Sequence, residues 1–170
     1  MSSDESLLER IERLEDDKAI RELLARYGFN ADQGRSEAYV DLFAPDGALD
    51  LSMDLPVEGE AEAGLREQVV VHADHDGLRK FITNPDGHKS IEGRCLHFMG
   101  NNLVVAVAGE SATAECYNFT LVRRGSEFVL LNAALSCWTL RKAGGQWKIL
   151  ECKRRRPGTE EFGDIHFTLA

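Results

Sequence analysis

No cysteine of this chain stands in a CxxC pair. The four, Cys95, Cys116, Cys137 and Cys152, are dispersed through apolar runs, and no histidine cluster stands near them at zinc spacing. This excludes the ordinary structural zinc motifs and predicts buried, reduced thiols in a reducing cytoplasm. Positive charge is scarce. Against 29 Asp and Glu there are 20 Lys and Arg, a formal net charge of −9, which argues against nucleic acid or an anionic membrane as partner. No apolar run approaches the roughly 20 residues of a transmembrane helix. The start, Met1-Ser2-Ser3-Asp4-Glu5, has neither the basic region nor the apolar run of a signal peptide. GxGxxG, P-loop and GxSxG motifs are missing, which leaves nucleotide, phosphate and serine-hydrolase chemistry without support. There is no internal repeat, low-complexity segment or linker.

What remains is a chain of 170 residues with 43% apolar content, the size of one domain spanning 1–170. From Glu5 to Ala31, residues Leu8, Ile11, Leu14, Ile20, Leu23, Leu24 and Tyr27 recur at helical steps. Asp16-Asp17 can cap a second segment, so two helices meeting near residue 16 are expected. Ser36 can cap a short helix through Phe43, and Ala44-Pro45-Asp46-Gly47 has the composition of a turn. Ala48–Met53 reads as a strand, 54–65 as a loop, and Gln68–His72 as a short β-branched run. Asp74–Asn84 reads as a third helix, closed by Asn84-Pro85-Asp86-Gly87.

The second half holds four β-rich runs, 93–107, 112–124, 127–141 and 146–155, joined by short Gly-containing segments. That pattern predicts antiparallel hairpins. Several runs are apolar on both parities, as in Phe128-Val129-Leu130-Leu131, so both faces of the sheet need a cover. The helices supply one. A second sheet or a second copy of the chain supplies the other, and the expectation is a homo-oligomer. Residues 157–170 turn from polar to apolar and are expected to dock on a surface. Helices first and a meander after make an α+β fold.

The candidate chemistry lies in two stretches. Leu24–Gly34 ends the first helix on Asp32, and Arg94–Asn102 carries His97, 65 positions later. Imidazole is a base at neutral pH, and a carboxylate on its other nitrogen fixes the tautomer and stabilises the imidazolium. Strand alternation puts Cys95 and Met99 on the face of His97, where they would line a dry pocket. His97 read alone is first a satisfied core or sheet histidine, Asp32 is a helix C-terminal or turn residue as readily as an orienter, and Tyr27 is either core or a substrate-binding hydroxyl. Asn101 and Asn102 offer donors to an oxyanion or form a bulge. His72-Ala73-Asp74-His75 is a weak metal pattern that reads better as a helix start. One of Lys153-Arg154-Arg155-Arg156 can enter the pocket to hold a leaving anion.

Four pieces carry a resemblance. They are the helix ending Tyr27…Asp32, the Leu42-Phe43-Ala44-Pro45-Asp46-Gly47 turn, the Leu96-His97-Phe98-Met99-Gly100-Asn101 strand, and Gly144-Gly145-Gln146-Trp147-Lys148-Ile149. Together they resemble a SnoaL-like member of the NTF2-like superfamily, nearest to the branch of scytalone dehydratase, bile-acid 7α-dehydratase and hexachlorocyclohexane dehydrochlorinase. The resemblance implies a cystatin-like cone of N-terminal helices packed into a strongly curved, mostly antiparallel sheet. It implies a cofactor-independent lyase with no metal, acting on a hydrophobic cyclic or aromatic-derived molecule. His97 matches the base, Asp32 its orienter and Tyr27 a polar pocket residue. Asn102, Met99, Cys95, Trp138 and Arg154 are the matched or neighbouring substrate contacts; Trp138 stands where many relatives carry a tyrosine-type motif. A trimer follows from the lyase resemblance and a dimer otherwise. An isomerase or cyclase using the same dyad, and a non-catalytic ligand-binding module, are the alternatives.

Overall fold

The computed structural model describes residues 6–52, 70–100 and 103–155. Expectations for the loop 54–65, for Gln68 and Val69, for Asn101 and Asn102, for Arg156 and for the tail 157–170 lie outside the described residues.

The first helix, α1 (Leu7–Asp32), opens on a capping box. Ser6 Oγ accepts from the Glu9 amide, and the Glu9 carboxylate accepts from the Ser6 amide. It then runs unbroken, where two segments were expected. Asp16 does not cap a second helix. Its Oδ1 accepts from Lys142 Nζ at 2.6 Å and from Trp147 Nε1 at 2.8 Å, while Asp17 pairs with Arg21 one turn on. Both carboxylates are thus occupied without interrupting the backbone ladder. Its N-terminal turns carry exposed apolar side chains, Leu7, Leu8 and Leu14, and burial begins at Ile20.

Burial alone would raise the Asp16 carboxyl, but the bonds from Lys142 and Trp147 outweigh it and hold it below the ordinary value. A depressed carboxyl stabilises the fold above its unfolded pKa near ~3.9, and the contribution is lost as pH falls through the lower folded value. Asp16→Asn is therefore expected to cost about 1–3 kcal/mol at neutral pH in urea unfolding, and the difference from wild type should vanish in strong acid.

A short α2 (Ser36–Val40) ends three residues earlier than predicted. Strand β1 (Phe43–Asp50) follows and absorbs the predicted turn. Phe43 pairs with Ile149 and Ala48 with Glu151, so Ala44-Pro45-Asp46-Gly47 is an outward bulge within the strand. Gly47 is required there, since a Cβ would lie 2.8 Å from the Ile149 carbonyl oxygen. Next come β2 (Val71–Ala73), α3 (Asp74–Thr83) and a single 3₁₀ turn, His88–Ser90.

The meander is β3 (Cys95–Met99), β4 (Val104–Ala108), β5 (Ser111–Arg124), β6 (Glu127–Ala143) and β7 (Gln146–Arg155). The predicted strand 93–107 is thus two strands. Both pair with β5, β3 beside Asn118–Val122 and β4 beside Ser111–Glu115, and the break falls at Gly100, whose amide donates to the Tyr117 carbonyl. The sheet order is β2-β1-β7-β6-β5-β3, with β4 also on β5. All pairs are antiparallel except β1 with β7, which is parallel, because β1 enters from the helical half and lies beside the last strand. The sheet is mixed, curved and open, in the α+β cone expected.

Core residues Ile20, Leu24, Tyr27, Tyr39, Phe43, Leu78, Trp138, Leu140 and Ile149 fill the space between α1, α3 and the inner face. The outer face stays bare among the described residues. Leu96, Phe98, Tyr117, Phe119, Phe128, Leu130 and Leu131 are all exposed there.

Candidate active site

Gly28 and Asp32 lie one helical turn apart and both look toward β3. A Cβ on Gly28 would stand 3.1 Å from the His97 carbonyl oxygen and 3.3 Å from its Cβ, so glycine lets the helix end lie against the strand. Asp32 then meets four donor contacts. The His97 amide donates to both its oxygens, at 3.1 and 3.0 Å, Cys95 Sγ donates to Oδ1 at 3.3 Å, and His97 Nδ1 lies 2.7 Å from Oδ1. These donors offset the cost of an anion at the negative end of a helix. The His97 and Asp32 side chains are 5% and 13% exposed.

Burial pushes Asp32 up, but its bonds to the His97 ring and amide outweigh that and leave it below the usual carboxylate range. His97 is pushed down, first by burial and further by Arg154, with Asp32 pulling the other way. The resulting pair is a carboxylate and a neutral imidazole. The network assigns the ring proton to Nδ1, donating to Asp32, and leaves the Nε2 lone pair as the base.

His88 was not singled out by the sequence, where it is one histidine in a polar turn. The 3₁₀ turn folds it back over the dyad. Its ring stacks on His97 with centroids 5.6 Å apart and planes 24° apart, and sits 5.9 Å from the Phe81 ring. The residue is 8% exposed, and neither ring nitrogen has a hydrogen-bond partner among the described residues. Burial, with His97 and Arg154 adding to it, lowers its pKa to about 4, so it too is a neutral imidazole.

The remaining expected residues divide. Cys95 and Met99 share the inner face with His97, as alternation required. Cys95 does more than line it, since its thiol is tied to Asp32; burial and that carboxylate push the thiol up to about 12. Met99 Sδ accepts from Asn118 Nδ2 at 2.9 Å. Of the basic run, Arg154 points inward and is 6% exposed, its Nη2 donating to the Tyr27 hydroxyl at 2.9 Å. Lys153 pairs with Glu151 and Arg155 with Asp50. Tyr27 combines its two readings. Its ring belongs to the core, against Tyr39 and edge-on to Trp138 at 4.9 Å, while its hydroxyl meets Arg154. Burial raises that phenol to about 12, so it is neutral. Trp138 is a buried wall of the aromatic cluster.

The inner face also carries a polar row that the strand pattern did not reveal. Register places Thr120 beside His97, Asn132 beside Thr120 one strand further on, Asn118 beside Met99, and Ser136 beside Arg154. Asn118 Oδ1, Asn132 Oδ1 and Ser136 Oγ are buried without a partner among the described residues. His75 Nε2 contacts the Phe43 carbonyl and Asp74 Oδ1 accepts from the Asp76 and Gly77 amides, so that stretch is a helix start. Two open cavities, about 410 and 470 Å³, lie around Asp16 and Lys142, and neither is lined by Asp32 or His97.

Residues 12–153 match the family described as SnoaL-like domain. No curated protein matches the sequence. Among solved structures, an NTF2-like protein with a cystatin-like fold from Novosphingobium aromaticivorans is 25% identical, with a TM-score of 0.77 over 97% of this chain and 100% of that one. A candidate aromatic ring hydroxylase from the same organism is 21% identical, with a TM-score of 0.64 over 86% of this chain and 92% of that one. A candidate scytalone dehydratase, also from that organism, is 18% identical, with a TM-score of 0.61 over 84% of this chain and 85% of that one.

Proposed function

The chain belongs to the SnoaL-like domain family, and from that premise we propose that it is a cofactor-independent lyase. Its substrate is a cyclic or aromatic-derived hydrophobic molecule that loses water, halide or a similar small group. The observation that carries this reading is the 2.7 Å contact between Asp32 and the buried, neutral His97. His97 Nε2 takes a proton from carbon, the C–H electrons form the new double bond, and the group on the neighbouring carbon leaves with its bonding pair. Asp32 holds the ring and stabilises the imidazolium, which returns its proton to the leaving group or to water. Tyr27 and Arg154 form one hydrogen-bonded unit that contacts polar groups of the substrate, and His88 offers an N–H beside the base. The resemblance to a candidate scytalone dehydratase fits this chemistry, and the free thiols fit a reducing cytoplasm.

The test is a panel of cyclic compounds carrying a leaving group next to an acidic C–H, with products read by mass. Loss of a fragment supports the lyase. An isomer of unchanged mass assigns the dyad to an isomerase or cyclase. Saturable binding without conversion makes the protein a ligand-binding module.

The bare outer face belongs to the same proposal. Leu96, Phe98, Tyr117, Phe119, Phe128, Leu130 and Leu131 are covered by further copies of the chain, a trimer in keeping with the lyase reading or else a dimer. Sedimentation equilibrium at micromolar concentration should find an oligomer, and Leu130→Glu should shift it to monomer. A wild-type monomer would sink the assembly proposal.

A further inference from the structure

His88, Cys95 and His97 come from one 3₁₀ turn and one strand, at spacings that match no metal motif. Yet one ring nitrogen of each histidine and the Cys95 sulfur all lie within 4.8 Å of one another. We propose that this inward face binds a single thiophilic divalent cation of the zinc class, and that occupancy silences the base.

The donor set is the first argument. Two neutral imidazoles and a thiol are what a borderline-soft cation takes, with Zn–N near ~2.0–2.1 Å and Zn–S near ~2.3 Å. Tetrahedral ligands at those lengths stand roughly 3.5 Å apart, so the three groups close by about an ångström. His88 can make that movement, because its ring is held by stacking on His97 and a tilted contact with Phe81, and not by hydrogen bonds among the described residues. Those two orphaned nitrogens, on a side chain more than nine-tenths buried, are the second and independent argument. A buried polar group without a partner is costly, and a cation beside it supplies one.

Asp32 has a place whichever nitrogen of His97 binds. If Nε2 binds the cation, Asp32 stays on Nδ1 and supports the ligand, as carboxylates commonly do behind metal-bound histidines. If Nδ1 binds, Asp32 becomes a ligand itself. In both cases the lone pair or the carboxylate that makes the base is occupied. Binding forms an S–metal bond and releases the Cys95 thiol proton to solvent, with no change of oxidation state. The charges facing the cluster are Asp32, Glu92 and Arg154. Arg154 opposes a cation, and Asp32 together with the thiolate formed on binding offsets it.

The binding claim stands apart from the lyase reading, while the silencing claim rests on it. The experiment titrates Co²⁺ into metal-stripped full-length protein, then displaces it with Zn²⁺. One equivalent should give a sulfur-to-cobalt charge-transfer band in the near ultraviolet. Cys95→Ser should abolish the band, His88→Gln should weaken binding by at least about tenfold, and Cys137→Ser should leave it intact. In parallel, Zn²⁺ should protect Cys95 of the wild type from alkylation, read by mass, which needs no variant to fold. Absence of the band, its survival in Cys95→Ser, or alkylation of Cys95 at the same rate with saturating Zn²⁺ would overturn the proposal. A band, together with no turnover of the metal-free protein on any substrate, would refute the lyase reading and leave the metal site standing. Turnover that Zn²⁺ does not inhibit at its binding constant would refute the silencing.

Discussion

Asp32→Asn is expected to lower kcat/KM by up to about 10⁴ while the protein stays folded, by analogy with loss of the carboxylate behind a catalytic imidazole. The amide fills nearly the same space but cannot serve four donors. It loses the charge that stabilises the imidazolium, and its N–H₂ group can only repel or reverse the His97 tautomer. Part of the effect is structural. Asp32 joins the end of α1 to the start of β3 through the His97 amide and the Cys95 thiol. Replacing a charged acceptor of this kind costs about 1–3 kcal/mol. The two effects separate in measurement. Urea unfolding reports the link between helix and strand, and kcat at saturating substrate reports the lost charge. A variant that retains wild-type kcat would show that Asp32 is a structural clamp and nothing more.

Trp138→Ala is expected to cost about 3–5 kcal/mol, the usual range for emptying a large aromatic site in a core. Trp138 is 1% exposed and sits in β6 between Ala114 and Cys152 on the flanking strands. Those small neighbours make room for the indole and cannot fill the space it leaves. Its ring meets Tyr27 edge-on, at 80°. The cavity would therefore open beside the Tyr27–Arg154 bond and loosen the polar end of the site as well as the core. Thermal unfolding should show a fall in Tm of roughly 10 °C, at about 2–4 °C per kcal/mol for a domain of this size. Trp138→Phe should cost much less. An unchanged Tm in Trp138→Ala would mean that the inner face is not packed as described.

Much of this was legible in the sequence, and the parts that were not share a physical cause. Helical periodicity and Gly-containing joints report local geometry, so α1, α3 and the hairpins could be read directly. Ala44–Gly47 could not, because a turn composition and a bulged strand have the same residues, and only pairing with Ile149 and Glu151 separates them. Asp16-Asp17 looked like a cap because the distant partners Lys142 and Trp147 were invisible. In the site, a helix end and an alternating strand made Asp32 and His97 candidates, and it was the resemblance to a family dyad that paired them. Arg154 over its neighbours Lys153 and Arg155 could be narrowed by parity but not chosen. His88 had no signal at all. A 3₁₀ turn of three residues leaves no periodicity, and the meaning of this histidine comes wholly from the ring it lands on. Asn118, Asn132 and Ser136 were hidden for a related reason, since single polar residues in long strands read as solvent-facing until the register is known.

The central claim is that His97 is the base, and one measurement addresses it directly: turnover by His97→Ala, without and with added imidazole, on whichever substrate the product-mass panel yields. The variant removes the ring but leaves the Asp32 bonds to the His97 amide and to Cys95, so the fold should survive and circular dichroism should match wild type. The account predicts no measurable turnover, with saturable partial recovery as free imidazole enters the vacated space beside Asp32. Turnover at the wild-type rate in a folded His97→Ala protein, with no response to imidazole, would contradict it.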